Sequence, residues 1–199
     1  TLNAIESVNK EVKPKAGRTR LEYLEFVTPQ DMQRIKQMEI IPSIRPEVTL
    51  ADKFVINDII KPENSQNLGL WNTLYKQNNI IISGTDFPYH TISPLVVMYY
   101  LSSGLSLDTA LNRVANNTAQ KLTVLEALKS FTVYAAYASF ADEVKGTLEK
   151  DKFADMVVLS DDIVSQDAAA LLKAKILMTI VRGEVVFENK SPGAMLYQH

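Results

Sequence analysis

Asp86 is the residue whose context points most directly to chemistry. It ends the run Asn79-Ile80-Ile81-Ile82-Ser83-Gly84-Thr85-Asp86 and precedes Phe87-Pro88. That run is apolar on both faces, the pattern of a strand buried in a parallel sheet. Parallel α/β folds gather their active sites at the carboxyl ends of such strands. A carboxylate there can ligate a metal ion or take a proton from a water molecule. It can equally cap a turn before Pro88, and position alone leaves both roles open. Tyr23, next to Glu22, lies near the end of an earlier strand and reads as a pocket residue or as a rim aromatic. Arg45 ends a second strand, before Pro46. It can meet an anionic substrate group or pair with an acidic neighbour. His90 follows Asp86 by four residues, as a ligand or as a surface loop residue. Ser43, Ser83 and Thr85 have no adjacent base, and the sequence holds no G-x-S-x-G, P-loop or G-x-G-x-x-G motif, so nothing supports a serine triad or nucleotide binding.

The elements that must position these residues alternate between strand and helix. Leu2 to Val12 reads as a helix with no cap before it. Thr19 to Val27 alternates as a strand does. Thr28 as N-cap, Pro29 at the first helical position and Asp31 open a helix whose stripe is Met32, Ile35 and Met38. Ile40 to Ile44 is a strand. Asp52 to Ser65 is irregular or weakly helical, and Leu68, Trp71, Leu74 and Tyr75 mark a helix face. After the strand that ends at Asp86, Ser93-Pro94 opens an apolar helix, and Thr123 with Glu126 makes a capping box for a helix running to about Phe140. This order predicts an α/β unit with parallel strands. Past Asp142 the pattern changes to a strand over 153–159, a short helix over 167–174, and two strands joined by Arg182-Gly183 at hairpin spacing. Residues 189–199 read as a tail.

Composition bounds the partners. The 199 residues suffice for one compact domain or a domain with a small appendage. With 21 Lys+Arg against 23 Asp+Glu, no basic surplus exists to neutralise a phosphate backbone, so nucleic acid is not an expected partner. The absence of Cys removes disulfides, thiolate metal sites and a Cys nucleophile. The two histidines, His90 and His199, are too few for a metal site of three or four imidazoles. No apolar run approaches the ~20 residues needed to span a bilayer, and the stretch TLNAIESVNKEVKPK lacks the apolar core of a signal peptide. A cytoplasmic location is expected. The missing initiator Met leads to the expectation that the chain begins inside a longer reading frame.

Seven segments, in chain order, resemble a known family. Ile81 to Pro88 resembles the "G-S/T-D-F/W-P" signature at the last barrel strand of metal-dependent amidohydrolases, with the amidohydrolase-3 (YtcJ-like) group the nearest branch. Arg18 to Tyr23 resembles "R-H-R-I-E-H", and Thr28-Pro29-Gln30-Asp31 resembles the next segment of that group. Pro42 to Pro46 resembles "S-x-Q-P". Thr123 to Ala138 resembles the "T-x-x-E-A-L" helix. Gly146 to Leu159 resembles "G-S-L-x-x-G-K-x-A-D-l-v-V-L", and Thr179 to Phe187 the closing "T-x-v-x-G-x-V-V-y". Tyr23 stands where the group has His, Thr19 where it has the first His, and Arg45 where it has Gln.

The resemblance implies the C-terminal portion of a TIM (β/α)₈ barrel over residues 1–141, with about three parallel strands and their helices. Residues 142–199 would be the C-terminal segment of a composite, β-sandwich-like domain. The implied activity is metal-dependent hydrolysis of non-peptide carbon–nitrogen bonds in a small molecule. Asp86 would be general base and metal ligand, and Tyr23, Arg45 and His90 would face the substrate. A divalent, zinc-like ion is expected from the family, with most of its ligands absent from this chain. Three parallel strands cannot close a barrel. Their open edges predict a homo-oligomer or a complementing N-terminal part. Two alternatives stand beside this: a catalytically inactive binding or assembly module of the same fold, and a truncation product of a longer gene with no function of its own.

Overall fold

A computed structural model describes residues 1–12, 17–47, 66–89, 92–107 and 117–190. The stretch 52–65, His90 and the tail from residue 191 lie outside the described residues. The elements are α1 (Leu2–Glu11), β1 (Arg20–Leu21), α2 (Pro29–Gln37), β2 (Ile41–Ile44), α3 (Trp71–Asn78), β3 (Ile82–Ser83), α4 (Pro94–Ser103), α5 (Val124–Phe131), α6 (Val133–Ala138), β4 (Met156–Leu159), α7 (Ala170–Lys173), β5 (Ile176–Val181) and β6 (Glu184–Glu188).

β1, β2 and β3 form one parallel sheet in that order, with Arg20 opposite Ile41 and Ser43 opposite Ile82. All four residues of β2 are buried, because both faces of the sheet are covered. Ile44 and Ile81 join Ile35, Trp71, Leu74, Leu101 and Ala127 in the main core, which lies between sheet and helices. Ile41 and Ile82 meet Ala138 in a smaller cluster, so α6 covers the other face at the amino ends of the strands. Arg20 and Arg18 pin it there: Arg20 Nη1 donates to the Ala138 carbonyl at 3.0 Å and Arg18 Nη1 to the Tyr137 carbonyl at 2.7 Å. The Arg18 guanidinium also lies 3.8 Å from the Tyr137 ring centroid and binds Asp142 at 2.6 Å.

Local signals fix the helix starts. Thr28 Oγ1 accepts from the Asp31 N–H at 3.1 Å, with Pro29 first in α2. Thr123 and Glu126 close a reciprocal capping box on α5. Two expectations change. The alternation of 19–27 continues past Leu21, yet β1 stops there, because Tyr23 takes a left-handed φ of 54° that no strand accommodates. The helix expected over 124–140 breaks at Thr132 (φ −118°, ψ −89°), whose Oγ1 donates to the Leu128 carbonyl at 2.9 Å. The turn at Gly146 packs on this break so closely that a Cβ there would lie 2.6 Å from the Ala136 Cβ.

β4, β5 and β6 form a separate antiparallel sheet in that order. Arg182 and Gly183 both have positive φ, 52° and 84°, as a tight two-residue turn of this hand requires. β6 is exposed along its whole length, and Leu159 and Ile176 connect the sheet to the main core. Ile81 is fully buried between sheet and helices, while Leu125 is 44% exposed. Ile81→Ala should therefore lower the unfolding free energy by about 2–5 kcal/mol, and Leu125→Ala by well under half of that, as read by urea denaturation.

Candidate functional site

The parallel strands bring a polar cluster to their carboxyl ends. Arg20 and Glu22 share a side because they are two residues apart where β1 ends; Ser43 and Arg45 do so where β2 ends. The adjacent strands then place the four groups together. Glu22 is the hub. Its Oε1 accepts from Arg20 Nε at 2.9 Å, and its Oε2 accepts from Ser43 Oγ at 2.5 Å and from Arg45 Nη2 at 3.2 Å. Arg45 also donates from Nη1 to Ser43 Oγ at 3.1 Å and to the Ile44 carbonyl at 2.9 Å, and its backbone N–H donates to Glu25 Oε1 at 2.8 Å.

β3 contributes from the third side. Gly84 lies against Arg45: a Cβ built there would be 2.9 Å from the guanidinium carbon, so glycine is what leaves room for the cation. Beyond it, Asp86 is half-buried, with a left-handed φ of 55°. The Tyr23 hydroxyl donates to Asp86 Oδ1. The Tyr23 ring is 51% exposed, and the Arg45 guanidinium carbon is 5.3 Å from its centroid. Tyr23 and Asp86 thus both hold a backbone conformation that costs a non-glycine residue roughly 1–2 kcal/mol, and their side chains meet as a result.

Charge follows geometry. Partial burial pushes the Glu22 carboxyl up, but hydrogen bonds from Ser43 and Arg20 and the charge of Arg45 outweigh it and hold Glu22 below its ordinary value. Donation to Asp86 raises the Tyr23 phenol, because losing its proton would set two anions against each other. Two hollows open beside the cluster. One, of about 390 Å³, lies between α1, α2 and the end of β1, with Leu21, Glu22 and Arg34 in its wall. The other, of about 530 Å³, is bounded by Arg18, Arg20, Glu22 and the end of α6. Glu22 borders both, and Asp86 neither.

Of the residues singled out in the sequence, Tyr23, Arg45 and Asp86 come together here, and His90 lies outside the described residues. Arg45 turns toward Glu22 and Ser43. Sequence reasoning gave no role to Glu22, Ser43 or Arg20. The signal that could have found them is the R-x-E of 20–22 beside the S-x-R of 43–45: two same-face polar pairs on neighbouring strands. The residues present do not fit a divalent ion. Among the described residues no three of His, Cys, Asp and Glu are grouped to hold one. Asp86 has a phenol on Oδ1, and the nearby Glu22 carries two guanidinium groups.

The depressed Glu22 value gives a pH prediction. A carboxylate whose folded pKa is lowered contributes stability above its unfolded value, here about 4.5, and loses it as pH falls through the folded value. Thermal unfolding of the wild type should therefore shift downward below about pH 4.5, and Glu22→Gln should start lower at neutral pH and flatten that part of the acid limb.

Comparison with known proteins places this arrangement. The model of the amidohydrolase family, Amidohydro_3, matches residues 1–187. A protein of Bacillus subtilis (strain 168) named as an amidohydrolase, YtcJ, is 26% identical over 189 residues, covering 94% of this chain and 35% of its own length. The LONG AFTER FAR-RED 3 protein of Arabidopsis thaliana is 27% identical over 196 residues, covering 94% of this chain and 31% of its own. The chain thus spans about a third of the length of these curated relatives. An uncharacterized metal-dependent hydrolase from Pyrococcus horikoshii superposes with a TM-score of 0.67 at 20% identity, over 83% of this chain and 32% of that one. The fold is α/β, the C-terminal portion of a (β/α)₈ barrel followed by a small β-sheet unit. A match that runs from the first residue to Phe187, across both sheets, shows that this chain belongs to the amidohydrolase family.

Proposed function

We propose that the protein is a hydrolase of non-peptide carbon–nitrogen bonds in small molecules, and that this chain supplies the closing strands of its barrel, with Asp86 as proton acceptor. The observation that carries this reading is the placement of Asp86 just past the carboxyl end of β3, oriented by the Tyr23 hydroxyl. Water adds through oxygen to the carbon of the C–N bond. Its proton passes to Asp86, and the same proton then goes to the leaving nitrogen. Tyr23 holds one carboxylate oxygen and leaves Oδ2 as the atom for proton transfer. Family membership supports hydrolysis, and the relatives' greater length supports a centre shared with a polypeptide segment that pairs with the edges of β1 and β3. That segment is a complementing N-terminal part or a second copy of the chain.

We assign the barrel portion to 1–141 and the small β-unit to 142–199, and we place the protein in the cytoplasm. Among the described residues no helix is long and apolar enough to cross a membrane. A second reading, a binding or assembly module without turnover, is favoured by one observation: Glu22, Glu25 and Asp86 at the sheet edge are each engaged by donors of the chain.

One substitution separates the two. On a panel of small amides, lactams and amidines, Asp86→Asn should lower kcat by roughly 10²–10⁴-fold with KM little changed. Turnover that survives the substitution contradicts the assignment of Asp86. Ligand affinity without any turnover in the parent, equal in the variant, supports the module.

A further inference from the structure

Among the described residues, three carboxylates lie at the end of the parallel sheet, and each is answered by a donor of the chain itself. Glu22 receives Arg20, Ser43 and Arg45, and both of its oxygens are used. Glu25 receives the backbone N–H of Arg45. Asp86 receives the Tyr23 hydroxyl. A protein-bound divalent ion needs three or four ligand atoms converging on one point, with the ligands deprotonated. Here each acidic group meets a donor of the chain, and among the described residues no three of His, Cys, Asp and Glu are grouped to hold an ion.

The positive charge of the cluster is built in. The Arg45 guanidinium is mostly buried, with 17% of its side chain exposed. Glu22, Ser43 and the Ile44 carbonyl hold it, and it rests in the space that Gly84 leaves by lacking a Cβ. A guanidinium cannot shed its charge at any physiological pH. An ion approaching Asp86 would find the Tyr23 hydroxyl on Oδ1 and only Oδ2 left to ligate it, with this fixed cation beside the Tyr23 ring.

We infer that this chain's own residues at the sheet edge do not hold a divalent ion, and that Arg45, Arg20, Ser43 and Tyr23 supply to their carboxylates the compensation an ion would give. This holds with or without hydrolysis, because it concerns only what the acids bind.

The experiment is zinc binding to the full chain, by calorimetric titration with zinc sulfate and by metal analysis after dialysis. The parent and Asp86→Asn should bind zinc equally, with below about a tenth of an equivalent retained by either. The double variant Tyr23→Phe with Arg45→Leu removes the donor on Asp86 and the fixed cation. It should bind zinc at least tenfold tighter than the parent, and adding Asp86→Asn to it should abolish the gain. Circular dichroism establishes that each variant is folded, and Tyr23→Phe alone serves should Arg45→Leu not fold. A near-stoichiometric ion in the parent that disappears in Asp86→Asn would overturn the inference. Folded variants without the donors that bind zinc no better than the parent would overturn the role given to Tyr23 and Arg45, because the sparse ligand set alone would then exclude the ion. Turnover is not read in this experiment, so its failure and the failure of the hydrolase reading are separate results.

Discussion

The Glu22 carboxylate joins the ends of β1 and β2, and the candidate site takes its shape from that junction. Parallel strands as short as these have little ladder to hold their register: β1 and β3 contribute two residues each. Side chains beyond the ladder must therefore fix where the chain goes next. Glu22 does so by drawing Arg20 from its own strand and Ser43 and Arg45 from the neighbour. Charge-assisted hydrogen bonds of this kind are about twice as strong as neutral ones. Glu22 and Arg20 stay more than a third exposed, so solvent screening weakens these pairs, and only the Arg45 end is well shielded.

The consequences spread outward from Arg45. Its guanidinium needs room, and Gly84 provides it on β3. Its charge lies beside the Tyr23 ring. Tyr23 follows Glu22 directly, so fixing Glu22 fixes where the left-handed turn at Tyr23 can point its phenol, toward Asp86. Two residues with unfavourable backbone conformations face one another here. Such strain persists where surrounding contacts over-determine it, and it collects at functional sites. The amidohydrolase scaffold thus presents an acid held by protein groups, in a cluster whose charges the chain balances for itself.

How much of this was legible in the sequence depended on distance along the chain. Thr28-Pro29-Gln30-Asp31 and Thr123 with Glu126 were readable because a cap is a contact over three residues. The Arg182-Gly183 hairpin was readable for the same reason. The end of β1 was not, because the apolar alternation runs on to Phe26 while Tyr23 leaves the strand, and that turn is stabilised by Asp86, 63 residues away. The break at Thr132 was hidden because its cause includes packing against the Gly146 turn. In the site, Asp86 was legible from its buried strand. Glu22 and Ser43 were not, since their roles exist only once β1 and β2 lie side by side in the register that sets Leu21 against Pro42.

The claim that the Glu22–Arg45 pair organises this sheet edge is tested most directly by a double-mutant cycle. Unfolding free energies of the wild type, Glu22→Gln, Arg45→Gln and the double variant, measured at pH 7 and low salt, give the coupling between the two side chains. A hydrogen-bonded pair with one buried and one exposed partner should show a coupling of about 0.5–1 kcal/mol. Additive effects of the two substitutions, with no coupling, would contradict it.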